Sequence, residues 1–277
     1  MPNRRPLENI TIGTDPECFI FNTRTHKVKS AVKLIPGTKE HPQRVPELGP
    51  GFAIQTDNIL AEFNVPPADN VNDFVNNINK MKEYLQNFVK QIDENYDILC
   101  AASQNVPKGE LRSKQAKQFA CDPDYCIYTG MPNPRPAAAD TTNTRSAGMH
   151  IHCGYDNPEI DRSLRALAYF DAYIGVPSIL IDKDTQRRTL YGKAGCFRLT
   201  PYGFEYRSLS SYFMKSEELL RWVFGQVQKA IRAYNESRTI PSVDLVQKAI
   251  NENDEALAKT LCFDYCLCSK FPEEINN

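Results

Sequence analysis

Apolar residues recur at helical spacing in several stretches of the chain, most regularly after Asp69. There they lie three and four positions apart, which places them on one face of a helix, and Asp69 or Asn70 is suited to cap its first turn. The side chains expected on the buried face are Val71, Phe74, Val75, Ile78, Met81, Lys82, Leu85, Phe88, Val89 and Ile92. Helices are expected over 70–93, 158–181, 215–235 and 241–259.

Strands are predicted by continuous or alternating apolar runs that are bounded by turn residues. They are expected within 10–22, 52–65, 96–103, 146–155 and 197–210. Pro16 interrupts the first run, which indicates an edge, a strand start or a bulge, and Asp57-Asn58 is a bend in the second. Loops are expected over 33–50, 121–145 and 182–195, with one short helix in 105–120. Because strands and helices interleave without a βαβ rhythm, the predicted class is α+β.

Four of these strand-like segments carry polar residues two positions apart. The pairs are Asp15 and Glu17, Glu62 and Asn64, His150 and His152, and Glu205 and Arg207. In a strand, residues i and i+2 point to the same face. One such pair alone is typical of a solvated strand face. Four pairs rich in His, Glu and Arg indicate instead the inner wall of a curved antiparallel sheet with a metal and phosphate site.

Length and charge narrow the classes of partner. The chain has 277 residues, enough for one large or two small domains, and a formal net charge of −1. A chain with this near-zero net charge has no overall positive electrostatic field that would attract nucleic acid or an anionic membrane. No apolar run approaches about 18 residues, and residues 1–13 lack the apolar core of a signal sequence. We therefore expect a cytoplasmic protein with neither nucleic acid nor membrane as a partner.

The cysteines do not follow the pattern of a disulfide framework. There are nine, an odd number, scattered from Cys18 to Cys268. A zinc site could draw on Cys121, Cys126, Cys262, Cys266 and Cys268. Neither group has the CxxC spacing of a zinc knuckle, so reduced, partly buried thiols are favoured.

Phosphate chemistry is indicated by arginines and carboxylates. The chain has no Walker loop and no GxGxxG after a strand. Basic residues cluster late in the chain, at Arg187, Arg188, Lys193, Arg198 and Arg207. Guanidinium groups bind phosphate oxygens in pairs, although Arg187 and Arg188 also fit a solvated loop. Carboxylates together with one histidine are suitable ligands for Mg²⁺ or Mn²⁺.

Three motifs, in their order along the chain, resemble the glutamine synthetase signature: GTDPECFIF, SAGMHIHCGY and GFEYRSLS. More closely, the set GTDPE, DNILAEFN, GMHIHCGY and RRTLYGKAGCFRLTPYGFEYR is similar to the phage-type carboxylate–amine ligases (COOH·NH2 ligase, amidoligase). These form a compact branch of the glutamine synthetase and glutamate–cysteine ligase superfamily. The likeness covers roughly residues 10–211, and the C-terminal helices carry no matching motif.

The resemblance implies a fold and a domain plan. The implied fold is a glutamine-synthetase-like curved antiparallel sheet, a half-barrel with helices packed on its outer face. A single catalytic domain is expected over 1–277, with the motif-bearing core over 10–211 and C-terminal helices over 212–270. A phage-encoded chain of this kind would work in the host cytoplasm.

The resemblance also implies an ATP-dependent ligase. ATP phosphorylates a substrate carboxylate, and an amine attacks the acyl phosphate, so the cofactors are ATP and two or more Mg²⁺ or Mn²⁺ ions. The implied metal ligands are Glu17, Glu62, His150, Glu205 and Asp15, with Asp57 as a further candidate. The implied ATP-binding residues are Arg188, Lys193, Arg198 and Arg207, and the three arginines are also implied to be catalytic. Arg145, His152 and Asn64 are expected to bind substrate.

One departure from the glutamine synthetase pattern bears on the substrate. Arg145-Ser146 replaces an Asn-Gly whose asparagine helps hold the amino-acid substrate in that family. A small acid or a peptide other than free glutamate is therefore expected, together with an amine. A metal-dependent hydrolase and a non-catalytic interaction protein on the same fold stay open. The late arginine cluster weighs against the first, and the intact ligand set weighs against the second.

Overall fold

The computed structural model describes residues 5–118, 124–133 and 142–272. Its strands are β1 (Thr11–Thr14), β2 (Glu17–Asn22), β3 (Lys27–Lys29), β4 (Gln43–Arg44), β5 (Ala53–Asp57), β6 (Leu60–Asn64), β7 (Tyr96–Leu99), β8 (Ser103–Asn105), β9 (Tyr125–Cys126), β10 (Thr144–Ser146), β11 (Ile151–Gly154), β12 (Cys196–Thr200) and β13 (Gly203–Tyr206). Its helices are α1 (Val71–Ile92), α2 (Lys114–Lys117), α3 (Ile160–Phe170), α4 (Val176–Ser178), α5 (Gln186–Leu190), α6 (Glu217–Asn235), α7 (Val243–Asn251) and α8 (Glu255–Asp264). The α+β class predicted from the sequence is confirmed.

Two antiparallel sheets curl into a half-barrel. The first has the strand order β1-β11-β13-β12-β9, and the second has the order β3-β2-β6-β5-β4, with β7 also paired to β2. A backbone hydrogen bond from Glu17 N to Gly148 O, 2.9 Å long, joins the start of β2 to the segment just before β11. Strands β8 and β10 form a third, two-stranded sheet. The two large sheets therefore share one curved inner face.

The first predicted strand is divided at its proline. β1 ends at Thr14 and β2 begins at Glu17, so Asp15-Pro16 forms the corner between the two sheets. Proline has no N–H for a ladder, but its carbonyl still accepts a hydrogen bond from Phe63 N. The predicted bend in the next run is also present, because Asn58 turns between β5 and β6 with φ 53°.

Helix α1 is present with the buried apolar face that the spacing predicted, and that face covers the outer side of the second sheet. Asn70 caps it by accepting a hydrogen bond from Asp73 N at 3.0 Å. Its buried stripe includes Phe74, whose ring lies 5.4 Å from that of Phe224 on α6. One predicted member is wrong: Ile92 is 44 % exposed because the helix ends there and its last turn leaves the sheet.

The second predicted helix packs behind β13 and contains a wide turn. Regular α3 gives way to a π-helical segment at Asp171–Gly175 before the short α4. The Phe170 ring meets the rings of Phe204 and Tyr206 edge-on, with centroids 5.0 and 5.7 Å apart. This helix holds the outer face of the strand whose inner face carries Glu205. No helix in the described ranges is long and apolar enough to cross a membrane.

Two expectations about the later elements are wrong. The charged stretch 182–195 is not simply a loop, because it contains α5 with Arg187 and Arg188 buried. The stretch 241–259 is two helices, because Asn253 turns with φ 55° and Asp254 caps α8 by accepting from Leu257 N. The frayed tail expected from residue 271 lies, from 273 onward, outside the described residues.

Candidate functional site

The strand register gathers the predicted polar residues on the inner face of the half-barrel. Gly13 pairs with His152, His152 with Glu205, and Glu205 with Arg198, so these four form one row across the first sheet. The next row comes from residues two positions away: Asp15, His150 and Arg207. The alternation read from the sequence is therefore confirmed, although Asp15, His150 and Arg207 each lie just beyond the end of a strand.

Three of the predicted metal ligands converge closely enough to hold one ion. One ligand atom each from Asp15, His150 and Glu205 lies within 4.8 Å of the others. His150 Nδ1 is 3.1 Å from Asp15 Oδ1 and 3.3 Å from Glu205 Oε1. Burial, together with the nearby Arg207 guanidinium, lowers the pKa of His150, which favours the neutral imidazole that a metal requires. Two carboxylates and one imidazole fit Mn²⁺ or Mg²⁺.

The second histidine of the motif supports Asp15 from the other side. His152 Nε2 lies 3.1 Å from Asp15 Oδ1, and its Nδ1 is 2.6 Å from the Tyr202 hydroxyl. Burial opposes a charge on His152, but Asp15 raises the pKa of the imidazole. In turn, although burial alone would raise it, the two imidazoles hold the pKa of Asp15 well below its usual range. Asp15 is therefore an anion held between two rings.

A second group of carboxylates faces the same cavity from the second sheet. Glu17 and Glu62 lie directly opposite each other across β2 and β6. Burial and the nearby Asp57 raise the pKa of Glu17 from 4.5 to about 8. Burial and the charges of Asp15, Asp57 and Glu17 raise the pKa of Glu62 well above its usual range. Like charges placed opposite each other destabilise a sheet, and a cation between them would relieve that repulsion.

Gly148 is required where these two groups meet. Its N–H donates to Glu17 Oε2 at 2.5 Å, and its carbonyl accepts from Glu17 N. A Cβ at this position would lie 2.6 Å from His150 Nε2 and 3.3 Å from Arg187 Nη2. Only glycine lets the backbone pass between the histidine and the arginine, which accounts for the glycine in the GMH motif.

Two predicted arginines lie beside Glu205. Arg207 makes a close ion pair with Glu205 Oε1, and Arg198 Nη1 is 4.0 Å from Glu205 Oε2. Burial opposes the charge of Arg207, but Glu205 raises its pKa above the ordinary arginine value. Both guanidinium groups line the cavity. A phosphate bound next to the ligand cluster would lie within their reach.

The third arginine at the cavity is Arg187. It is 3 % exposed, and its two Nη atoms donate to Ser146 Oγ (3.3 Å) and Leu209 O (2.9 Å). Its Nε has no acceptor among the described residues. Burial lowers the pKa of Arg187. A buried guanidinium with an unsatisfied donor at a cavity wall is suited to receive an anion.

Arg188 and Lys193 are not brought to this cavity. Arg188 is buried on the other side of α5, where it donates to Ser178 Oγ at 3.1 Å. Lys193 is exposed on the loop that follows. Neighbouring residues on a helix point about 100° apart, so only one of the two adjacent arginines can face inward. The sequence predicted a loop over 182–195, and a loop gives no orientation by which Arg187 could be distinguished from Arg188.

The cavity beside the ligand residues has a volume of about 770 Å³, including its open mouth. Besides Asp15, Glu17, Glu62, His150, Arg187, Arg198 and Arg207, its lining includes Lys39, Asp57, Asn58, Asp124, Arg145, Ser146 and Tyr191. A second cavity of about 780 Å³ is lined by the predicted substrate residues His152 and Asn64, together with Tyr202. Asp15 borders both cavities. The three predicted substrate residues are therefore divided, with Arg145 in the first cavity and the other two in the second.

Several cavity residues had no recognisable signal in the sequence. Lys39 and Asp124 come from irregular segments and Tyr191 from the end of α5, none of which shares a strand period with the motifs. Asp124 and Arg145, both from the stretch 121–145 that leads into the His150 strand, line the cavity, although 121–123 and 134–141 lie outside the described residues. Arg187 could have been separated from Arg188 only by recognising α5.

The described cysteines are free thiols. Cys126 pairs with Cys196 across β9 and β12, while Cys262 and Cys268 are buried beside the last helices. Among the described residues, the single group of three or more ligand side chains is Asp15, His150 and Glu205, and it contains no cysteine. Cys121, the fifth residue considered for zinc, lies outside the described residues.

Comparison with known families supports the resemblance drawn from the motifs. The family described as "Phage phiEco32-like COOH.NH2 ligase-type 2" matches residues 137–262. This range includes His150, Arg187, Arg198, Glu205 and Arg207, and it extends into the C-terminal helices, where no motif was recognised. The predicted likeness to the phage-type ligases is confirmed over this part of the chain. No curated protein matches the sequence.

Among solved structures, one similar chain is a bifunctional glutathione synthetase from Pasteurella multocida. It is 12 % identical in sequence, with a TM-score of 0.45, and the alignment covers 93 % of this chain. The chain spans 47 %, about half, of the length of that enzyme.

Proposed function

We propose that the protein is an ATP-dependent carboxylate–amine ligase with a glutamine-synthetase-like site in one catalytic domain. One observation carries the proposal: two groups of carboxylates and a row of arginines lie together around one cavity. Asp15 and Glu205, with His150, form one group, and Glu17 with Glu62 forms the other. The family match supports a carboxylate–amine ligase in general. The motif-bearing core at 10–211 builds the cavity, and the helices over 212–270 pack outside it.

The ligand groups suit two divalent ions, Mg²⁺ or Mn²⁺. Asp15, His150 and Glu205 would hold one ion, and Glu17 and Glu62, with Asp57 nearby, would hold the other. When bound, the ions neutralise the phosphates of ATP and so lower the barrier to phosphoryl transfer. The fit is supported by the raised pKa values of Glu17 and Glu62, because burial and nearby carboxylates disfavour their charged forms and a bound cation would favour them.

The arginines divide into two roles. Arg207 and Arg198 flank Glu205 and would hold the phosphoryl group as it passes from ATP to the substrate carboxylate. Arg187 and Arg145, at the wall formed by α5 and β10, would hold an anionic part of the acid. An amine then attacks the acyl phosphate, the C–N bond forms, and inorganic phosphate leaves. Arg188 and Lys193, implied by the resemblance to bind ATP, receive no support from their positions.

The substrates that fit this chemistry are a small or peptide carboxylate and an amine. Arg145 stands where glutamine synthetases carry a substrate-holding asparagine, and it is 7 % exposed at the cavity wall. A long, charged side chain at this position changes both the space left for the substrate and the charge of the cavity wall that contacts it. We therefore propose an acid other than free glutamate.

The deciding experiment measures ATP binding and turnover. Calorimetry of ATP with Mg²⁺ and in excess EDTA should show binding only with the metal. ADP release should then appear with some member of a screen of amino acids, peptides and cell-wall precursors. Glu205→Gln should abolish turnover, whereas Glu110→Gln, which removes an ion pair with Lys29 outside the cavity lining, should not. Equal ATP affinity in EDTA, or hydrolysis of an amide without ATP, would reject the proposal.

A further inference from the structure

A buried carboxylate lies directly behind the strand that carries Glu205 and Arg207. Asp171 is fully buried. It is the first residue of the wide π-helical turn Asp171–Gly175, which directly follows the regular helix α3. Its Oδ1 accepts a hydrogen bond from the Tyr206 hydroxyl at 2.9 Å, and its Oδ2 accepts one from the Tyr128 hydroxyl at 2.7 Å. Each oxygen of one carboxylate therefore holds a different element of the protein.

The first of these elements is β13. Tyr206 is fully buried and lies between Glu205 and Arg207, so its side chain points to the outer face of β13 while theirs lie on the inner face. Because its hydroxyl is anchored, Tyr206 fixes the distance of β13 from the helix behind the sheet and the rotation of β13 about its own axis. Those two quantities set the positions of the Glu205 carboxylate and the Arg207 guanidinium.

The second element is the segment 124–133. Tyr128 lies against Gly195, where a Cβ would approach its ring to 2.9 Å, and Ile127 N donates to Gly195 O. The same segment contributes Asp124 to the cavity lining. The Tyr128 hydroxyl is therefore a side-chain tie between this wall of the cavity and the helix behind the sheet.

The turn itself is shaped for this contact. A Cβ on Gly175, four residues after Asp171, would lie 2.6 Å from the Tyr206 hydroxyl. The glycine thus leaves the space in which the tyrosine hydroxyl sits beside the carboxylate. π-Turns cost helix stability and occur often at functional sites. Burial raises the pKa of Asp171 to about 7 despite the two hydroxyl donors and a backbone hydrogen bond from Gly195. An apolar residue would avoid that burial penalty, and the contacts to two cavity walls account for the carboxylate.

We infer that Asp171 is a positioning residue, whose two oxygens hold β13 and the 124–133 segment in register with each other behind the cavity. The inference rests on the proposed function only for the meaning of the metal and turnover measurements. The geometric part stands on the two hydroxyl contacts alone.

The test removes one hydroxyl at a time. Tyr206→Phe releases β13, Tyr128→Phe releases the 124–133 segment, and Tyr169→Phe is the control. Tyr169 lies on the same helix and donates to Arg238 O at 2.9 Å, outside the network. All three changes delete a single hydroxyl group that makes an internal hydrogen bond.

Mn²⁺ titration and backbone amide exchange give different expected results for the three variants. Tyr206→Phe should weaken Mn²⁺ binding about tenfold, as is typical when a group that orients a metal ligand is removed, and it should speed exchange in 203–207. Tyr128→Phe should speed exchange in 124–133 and leave Mn²⁺ affinity within about twofold of wild type. Tyr169→Phe should change neither. Where turnover is measurable, Tyr206→Phe should lower kcat more than it raises KM for ATP.

The possible failures are distinguishable. If wild-type protein binds no Mn²⁺, the proposed function fails, and the exchange rates alone decide the inference. If Tyr206→Phe and Tyr128→Phe match Tyr169→Phe in both measurements, Asp171 contributes only to stability and the inference is overturned.

Discussion

Replacing Glu17 by glutamine should stabilise the metal-free protein at alkaline pH. Glu17 is buried opposite Glu62, and its pKa is raised from 4.5 to about 8. A shift of that size corresponds to roughly 5 kcal/mol of unfavourable free energy once the group is ionised in the folded state. Glutamine has the same shape and no charge, and its carbonyl oxygen can still accept from Gly148 N.

The expected gain is smaller than that ceiling. An amide in a buried polar site keeps a cost of its own, and neighbouring side chains relax around an ionised carboxylate. A gain of about 2 kcal/mol, or roughly 5 °C in Tm, is a reasonable magnitude for a chain of this size. The same gain is not expected for Glu205→Gln, because Glu205 is paired with Arg207 and the change would leave that guanidinium without its partner.

The sign of the pH dependence follows from linkage. The folded state keeps the Glu17 proton up to about pH 8, whereas the unfolded chain loses it near pH 4.5. Between those values the folded state binds more protons, so wild-type stability contributed by this group falls as pH rises. The difference between Glu17→Gln and wild type should therefore be near zero at pH 4.5 and largest above pH 8.

Thermal unfolding in excess EDTA at pH 4.5 and pH 8.5 measures this difference. Glu110→Gln is the matched control, because Glu110 pairs with Lys29 at 2.9 Å and its loss should destabilise the protein, giving the opposite sign. Adding Mn²⁺ at pH 8.5 should make wild type the more stable protein, since it binds the ion through the Glu17 carboxylate that the variant lacks. A Glu17→Gln protein that is less stable than wild type at pH 8.5 in EDTA would refute the reasoning.

Three further predictions concern the arginines and the glycine of the site. Arg207→Lys keeps the charge but loses the two-pronged geometry, so the maximal rate of ADP release should fall roughly a hundredfold while Mn²⁺ affinity by calorimetry changes little; a wild-type rate would contradict the role. Gly148→Ala places a methyl group against His150, so Mn²⁺ affinity should fall at least about tenfold, and unchanged affinity would show that His150 is not a ligand. Arg187→Met should abolish turnover, while chemical denaturation shows a stability within about 1 kcal/mol of wild type. Arg188→Met should keep turnover and lower the stability by more than about 1 kcal/mol. Equal effects of the two changes would remove the distinction between the arginine at the cavity and the one turned away from it.

The sequence predicted those parts of the site that lie on regular strands. Period-two alternation placed His150 with His152 and Glu205 with Arg207 on single faces. The structure brings His150 and Arg207 to the first cavity, with Glu205 in contact with both, and His152 to the second cavity. Pro16 marked the corner between the sheets, because a residue without an N–H cannot continue a ladder. These signals are local, and each depends only on residues close together in the chain.

Other parts needed the tertiary structure. Arg187 and Arg188 are adjacent, chemically identical and both buried. Only the orientation of the five-residue α5 places Arg187 at the cavity and turns Arg188 away from it. Asp171 lies in a stretch that reads as an ordinary apolar helix, and nothing local indicates that Tyr128 and Tyr206 meet there. Asn253 divides the last predicted helix by a backbone turn that the apolar spacing does not record.

The junction between the two sheets has a consequence for the order of folding. The backbone contact of Glu17 with Gly148 closes a loop of more than a hundred residues, and Glu205 adds a later strand to the same wall. Contacts so distant along the chain form slowly, because loop-closure entropy must be overcome before they contribute. A nascent chain carries Asp15 and Glu17 long before it carries Glu205. The complete set of ligands therefore forms late in folding. During refolding, the recovery of Mn²⁺ binding should lag behind the formation of α1.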